Sequence, residues 1–196
     1  MLDAISSGVG EIGLDRWIKD YDFEQQLEVF KWQLGLAAKR NLPASIHCLK
    51  AWGKMLEVLQ AELLPRCGFV LHSFGGPTEM VLPLAELGAY FSLPGYFAHE
   101  RKARQRDVFR HVPLERLLIE TDAPDQLLPT ERVLYPFCNT EGIPVNHPAN
   151  LRAVYDLAAE LLQEPLEKVA DQVEENFARV FGGVSGRGLA RVQSGV

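Results

Sequence analysis

Four residues of this sequence have the types and the spacing to do chemistry together. They are Glu11 in Gly-Glu-Ile-Gly-Leu-Asp, His47 in Ala-Ser-Ile-His, His72 in Val-Leu-His-Ser-Phe and Asp122 in Ile-Glu-Thr-Asp-Ala-Pro. Each lies at or just past the end of a short apolar run. Two imidazoles and two carboxylates make a ligand set suited to Zn²⁺ or another divalent transition metal. Each residue also has a plainer reading. A strand-end histidine can simply be hydrogen-bonded, Glu11 can satisfy backbone amides in a tight loop with Gly13, and Asp122 can cap the turn before Ala-Pro. Four such placements on successive strand ends weigh against coincidence, and the pattern alone leaves metal binding and structural capping level.

What would bring them together is the arrangement of the elements. Five apolar, β-prone segments recur, at residues 9–14, 44–49, 68–73, 89–93 and 116–121, and each is followed by a helical pattern. Phe23, Leu27, Phe30, Leu34 and Ala38 recur at helical spacing behind Asp22, a candidate N-cap, with Gln25 completing a capping box. Trp52, Leu56, Leu59 and Leu63 form a second stripe. Residues 80–87 form a shorter one that ends at Gly88, and residues 100–112 read as a charged helix. Pro148 and Pro165 each open a further helix, the second reaching Phe181. Strands that are nearly continuously apolar and alternate with helices imply parallel pairing with both faces covered, in a doubly wound sheet or a barrel. In either, the C-terminal ends of the strands share one mouth, where residues distant in sequence converge.

Composition narrows the class. Hydrophobic residues make up 47% and charged residues 23% of the 196, a balance that excludes a largely disordered chain. Residues 1–182 read as one domain and 183–196, rich in Gly, Ser and Arg, as a flexible tail. No apolar run reaches the roughly 20 residues of a membrane span, and three scattered cysteines fit neither a disulfide framework nor a CxxC zinc site. An intracellular, cytoplasmic protein that does not engage membranes is the expectation. The net charge of −6 excludes avid binding to nucleic acid over the whole surface, so any such attraction must be local.

The strings GEIGLD, IHC, LHSFGG and ETDAPD, in this order and spacing, resemble the TatD-related metal-dependent hydrolases, relatives of the amidohydrolase superfamily with a TIM-barrel fold. The likeness runs from Val9 to about Phe181 and includes the late Asn-His-Pro-Ala-Asn (146–150) and Glu-Asn-Phe-Ala-Arg-Val-Phe-Gly (175–182). The resemblance implies that Glu11 bridges two divalent metals, that His47 and His72 hold the second, and that Asp122 ligates the first and helps deprotonate the attacking water. It implies hydrolysis of phosphodiester bonds in DNA. Two other readings stand beside it: a small-molecule amidohydrolase with the same ligands, and a noncatalytic barrel remnant that acts as an interaction module.

Family members begin with a strand bearing a His-x-His pair and carry a later Gly-x-His-Pro-like turn, and neither string occurs here. By this likeness the strand with Glu11 matches the family's fourth, which implies an α/β fold that is an incomplete (β/α)8 TIM barrel of about five parallel strands with surrounding helices. Five strands do not close a barrel with the usual stagger, so open edges are expected. A truncated reading frame is the favoured explanation, ahead of a natural short form completed by a partner and of a degenerate relative. On ligand count Glu11, His47 and His72 hold one metal, while Asp122 lacks its His-x-His companions.

Substrate contacts are less defined. Where family members often have a basic residue two positions after the first histidine, this chain has Cys48-Leu49-Lys50. Arg101, Lys102 and Arg104, beside Tyr96 and Phe97, are candidates for nucleic-acid binding, against the alternative of a solvated helix face. Glu120 and Asp125 flank Asp122, where orienting it and buried hydrogen bonding explain them equally well. Strand alternation turns Cys48 away from His47 into packing. His99 and His111 read as surface residues, His147 as flanking a helix start, and Trp17, Trp32 and Trp52 as packing residues.

Overall fold

A computed structural model describes residues 7–183. The expected tail from residue 184 onward lies outside the described residues.

Five parallel strands, β1 (Val9–Asp15), β2 (Ala44–Leu49), β3 (Phe69–Leu71), β4 (Ala89–Pro94) and β5 (Leu117–Glu120), pair in sequence order to form one sheet. They agree with the five apolar segments to within a few residues. β4 is buried over its full length, as expected for a parallel strand covered on both faces. At β1 the register shifts between Val9 and Ile12, which places Glu11 in an irregular stretch before pairing resumes at Ile12↔Ile46. Only glycine fits at Gly13, because a Cβ there would sit 1.9 Å from the carbonyl oxygen of His47.

The helices follow from the apolar spacing. Helix α1 (Phe23–Arg40) is capped as expected, the Asp22 side chain accepting from the Gln25 amide, and it buries Leu27, Phe30, Leu34 and Ala37. Helix α2 (Trp52–Ala61) buries Met55, Val58 and Leu59. Leu63, counted in that stripe, lies beyond the helix and is exposed. A short α3 (Val81–Glu86) ends before Gly88, whose φ of 95° suits glycine alone.

The charged segment 100–112 is not one helix. It breaks into 3-10 turns on either side of a six-residue α4 (Ala103–Val108). Two of its arginines donate to backbone carbonyls outside the segment. Arg106 donates to Ala98 at 3.2 Å and Arg110 to Leu161 at 2.7 Å. A 3-10 turn at Pro148–Asn150 leads into α5 (Leu151–Leu162), and α6 (Leu166–Phe181) starts behind Pro165. Both pack on β5.

The side chain of Asn176, wholly buried on α6, donates to the carbonyls of Leu114 and Leu117 at 2.8 Å each and so pins the entry of β5. Between β5 and α5 a hairpin of β6 (Phe137–Cys138) and β7 (Pro144–Val145) forms a separate two-stranded sheet. Among the described residues no helix is long and apolar enough to cross a membrane.

Candidate metal centre

Strands β1, β2, β3 and β5 border one cavity of about 470 Å³, lined by Glu11, His47, His72 and Asp122; His72 and Asp122 lie just past the ends of β3 and β5 as expected, whereas Glu11 and His47 lie inside β1 and β2, which run on beyond them. The four residues therefore meet at the shared mouth. The chain turns sharply on leaving three of these strands, at Lys50, Ser73 and Asp122, each with a φ between 44° and 57°. Left-handed backbone at residues other than glycine is uncommon and gathers at functional sites.

His72 is the centre of the arrangement. Its Nε2 lies 3.4 Å from Glu11 Oε1 and 3.4 Å from Asp122 Oδ1, and its Nδ1 lies 2.9 Å from Glu120 Oε2. The outer distances are long for charge-assisted hydrogen bonds, which run to about 2.7–2.9 Å. They match the separation of roughly 3.4 Å between two ligands held about 2.1 Å from one tetrahedral ion. The partner on the other ring nitrogen is equally telling: a carboxylate that accepts from Nδ1–H keeps that proton in place, so that Nε2 is the nitrogen that would give up its proton and offer its lone pair to a cation.

The donor set thus fits a divalent cation in its chemistry and its pairwise spacing. Among the described residues no three His, Cys, Asp or Glu side chains are yet gathered around one point. Glu11 is the most exposed of the four.

Glu120 binds more than His72. It accepts from the Ser73 amide at 2.9 Å, from Ser73 Oγ at 2.5 Å and from Ser92 Oγ at 2.5 Å. Burial alone would raise its pKa, but the hydrogen bond and charge of His72 and the two serines outweigh burial and hold it below the usual carboxylate value. For His72, burial acts to lower the pKa, and it is overcome by the hydrogen bond to Glu120 and the charges of Glu120, Glu11 and Asp122, which push it up to about 9. An imidazolium thus occupies the centre of the carboxylates at neutral pH.

Glu120, a candidate to orient Asp122, serves His72 instead. The reason is sheet order: Ser92 on the intervening β4 is small and hydroxylic, so Glu120 on β5 reaches past it to His72 at the end of β3. Asp122 is held by Gln126, whose amide donates to Oδ2 and also to Ser73 Oγ at 3.1 Å. Asp125, the other candidate to orient Asp122, is exposed and shares no hydrogen bond with its side chain; the Asp125 amide donates to the Asp122 carbonyl at 2.9 Å. Asn146, buried, donates to the carbonyls of Thr121 and Gln126 at 2.7 and 3.2 Å and so clamps the loop that carries Asp122.

His47 is organised differently. Its Nε2 pairs with Asp15 Oδ2 at 3.1 Å, and its Nδ1 faces Glu11 Oε2 at 4.0 Å. Sequence reasoning does not single out Asp15 as a holder of His47, although it closes the same GEIGLD string as Glu11. Cys48 is buried in the core cluster although it also lines the cavity, and burial, with the charge of Asp15, pushes its thiol up to about 12 against the opposing hydrogen bond of the Ala51 backbone.

The residues read as nucleic-acid contacts divide. Lys102 lines the metal cavity together with Tyr96. Arg101 reaches Tyr96 Oη at 2.9 Å on the rim, and Arg104 lines a neighbouring groove. Phe97 is buried in the core beneath the cavity it helps to line, whereas Tyr96 is the more exposed of the two rings. His99 is half-buried, with Nε2 3.0 Å from the Leu127 carbonyl, while His111 is exposed as expected. His147 accepts from the Ala149 amide at 3.1 Å at the start of its turn. Of the tryptophans only Trp52 packs, edge-on to Phe74 at 4.8 Å; Trp17 and Trp32 are 66% and 69% exposed, contrary to the packing role expected of them.

Comparison with known proteins decides the family. The family model described as TatD related DNase matches residues 4–182. The chain belongs to the TatD-related DNase family. Among curated TatD-family relatives, it is 34% identical over 173 residues to YjjV of Escherichia coli K12, named a metal-dependent hydrolase, covering 88% of this chain and 62% of that protein. It is 33% identical over 175 residues to the protein of Pantoea ananatis named 3'-5' ssDNA/RNA exonuclease TatD, covering 89% and 65%. The crystal structure of the TatD homologue YjjV superimposes with a TM-score of 0.77 at 32% identity, over 89% of this chain and 63% of that one. A TatD-family hydrolase of Entamoeba histolytica, at 22% identity and a TM-score of 0.75, shares the fold. The α/β architecture of five parallel strands with surrounding helices is thus an arc of the TatD TIM barrel. The chain spans about three fifths of the length of the relatives it matches.

Proposed function

We propose that this chain carries the divalent-metal site of a TatD-type hydrolase that cleaves phosphodiester bonds in DNA. Glu11, His47, His72 and Asp122 are the ligands, with Asp122 also the group that takes the proton from the attacking water. The observation that carries the reading is the disposition of the His72 ring: one nitrogen is committed to Glu120 and the other faces Glu11 and Asp122 at 3.4 Å each. A divalent cation held there polarises the scissile phosphoryl group and lowers the pKa of water. The nuclease name of the Pantoea relative agrees with this substrate class.

The side chains divide the work. His72 presents Nε2 because Glu120 fixes its tautomer. Asp122 keeps one oxygen, Oδ2, on Gln126 and turns the other toward the cavity, where it can accept a proton. Lys102 on the cavity wall, and Arg101 and Arg104 beside it, neutralise phosphate charge that the acidic cluster would otherwise repel. Tyr96 offers a ring for a base.

The test is cleavage of a single-stranded DNA oligonucleotide by this chain with Mg²⁺, Mn²⁺, Co²⁺ or Zn²⁺. Cleavage that requires metal, stops with chelator and is lost in His72→Ala is the expected result. Hydrolysis of acyl amides or esters, with DNA left intact, would replace this reading with a small-molecule amidohydrolase.

A further inference from the structure

A groove of about 770 Å³ lies beside the metal cavity and shares Trp52, Gly75 and Gln105 with it as a common wall. Lys50 and Arg104 line it from separate elements, Lys50 from the exit of β2 and Arg104 from α4. We propose that this groove is a second substrate subsite, which takes the backbone phosphates of a single strand of nucleic acid that flanks the bond held at the metal centre. This rests on the nuclease reading above and extends it to how the strand is held.

Three observations favour such an occupant. First, neither Lys50 nor Arg104 has an acidic partner within 4.0 Å among the described residues, whereas Arg106, Arg110 and Arg132 all do. Two cations left without counter-charges on a chain of net charge −6 mark a local attraction for an anion. Of the acids on the same wall, Asp107 is engaged by Arg106 and Arg110, and Glu79 is the one left to oppose them.

Second, Lys50 is fixed in place: its Nζ sits 4.0 Å over the ring of Trp17, whose amide is in turn held by Asp15 Oδ1 at 2.6 Å. Asp15 is the residue that holds His47, so one carboxylate sets both the candidate metal ligand and the aromatic support of the groove lysine. The exposure of Trp17 then has a reason, since the ring is the seat for Lys50. Third, the Gly75–Gly76 backbone lines the groove together with the two cations; a Cβ at Gly76 would press on the Phe74 ring at 2.7 Å, and one at Gly75 would touch Gln105 at 3.7 Å, so this stretch of the wall is backbone without side chains.

The test is a binding measurement that does not depend on turnover. Fluorescence anisotropy of a labelled single-stranded oligonucleotide, with chelator present, would be followed across salt concentration for the wild type, Lys50→Ala, Arg104→Ala and the double variant. The double variant is expected to bind at least ten-fold more weakly. Its slope of log affinity against log salt should be smaller by about 1.4, roughly 0.7 for each single-strand phosphate no longer neutralised. Trp17→Ala should weaken binding less than Lys50→Ala. Unchanged affinity and slope in the double variant would overturn the proposal, as would equal competition by a poly-glutamate peptide. Failure of the nuclease reading shows up separately, as absence of metal-dependent cleavage in a wild type that still binds the strand with the full salt slope.

Discussion

The two histidines at the mouth of the sheet are built in contrasting ways. His72, 17% exposed, is locked by Glu120, which is itself held by Ser73 and Ser92 across β3, β4 and β5. His47, 33% exposed, rests on Asp15 alone and faces Glu11 at 4.0 Å. The site therefore has a rigid half and an adaptable half. On the β3–β5 side the ligand geometry and the stability of the sheet are the same hydrogen bonds. On the β1–β2 side the ligands are adjustable, and they bear on binding more than on folding.

The largest expected effect comes from removing the hub of the rigid half. Glu120→Ala leaves an imidazolium and two serine hydroxyls without their partner and should lower the unfolding free energy by about 2–4 kcal/mol, less than a fully buried pair would lose because the group is partly exposed. Urea denaturation measures it; a loss under about 1 kcal/mol would erase the contrast between the halves.

Next in size is the dependence of stability on pH. The pKa of His72 is raised to about 9 in the folded chain, above its ordinary 6.5. Its contribution is therefore complete below about 6.5 and lost as pH rises toward 9. The pKa of Glu120 is lowered, so its contribution is present above the ordinary carboxylate value and lost as pH falls through and below that value. In the presence of chelator the melting temperature should fall as pH rises from about 7 to about 9.5, and His72→Gln should flatten that fall. A melting temperature that rises over this interval contradicts the assignment.

Smaller still is the effect on the adaptable half. Asp15→Asn should change the unfolding free energy by less than about 1 kcal/mol yet weaken metal affinity about 10- to 100-fold, the usual cost of losing a residue that orients a ligand. If Asp15→Asn destabilised the fold as much as Glu120→Ala, the two halves would not differ in kind.

The same contrast explains what is legible in the sequence. The strands are legible because parallel strands buried on both faces read as apolar runs, and the ligands because each is a polar residue in or just past such a run. The partner of Glu120 is not, since alternation along β5 says which face a side chain takes but not that Ser92 leaves a path over the neighbouring strand to His72. Trp17 departs from its expected packing role because its stabilising neighbour, Lys50, belongs to another loop, and exposure at a loop is set by tertiary contact rather than by pattern. Segment 100–112 has helical composition, but Arg110 donates to the Leu161 carbonyl, which is distant in sequence and brought near only by the fold.

If Glu11, His47, His72 and Asp122 form one divalent-metal site around the Nε2 of His72, a titration of the protein with metal must show it. The decisive experiment is isothermal titration of the 196-residue chain with Zn²⁺ at about pH 7.5, repeated in buffers of different ionisation enthalpy. Saturable binding of one ion per chain is predicted, with release of about one proton from the displaced His72 imidazolium and loss of both in His72→Ala. Equal uptake by the wild type and His72→Ala, with no proton released, would contradict it.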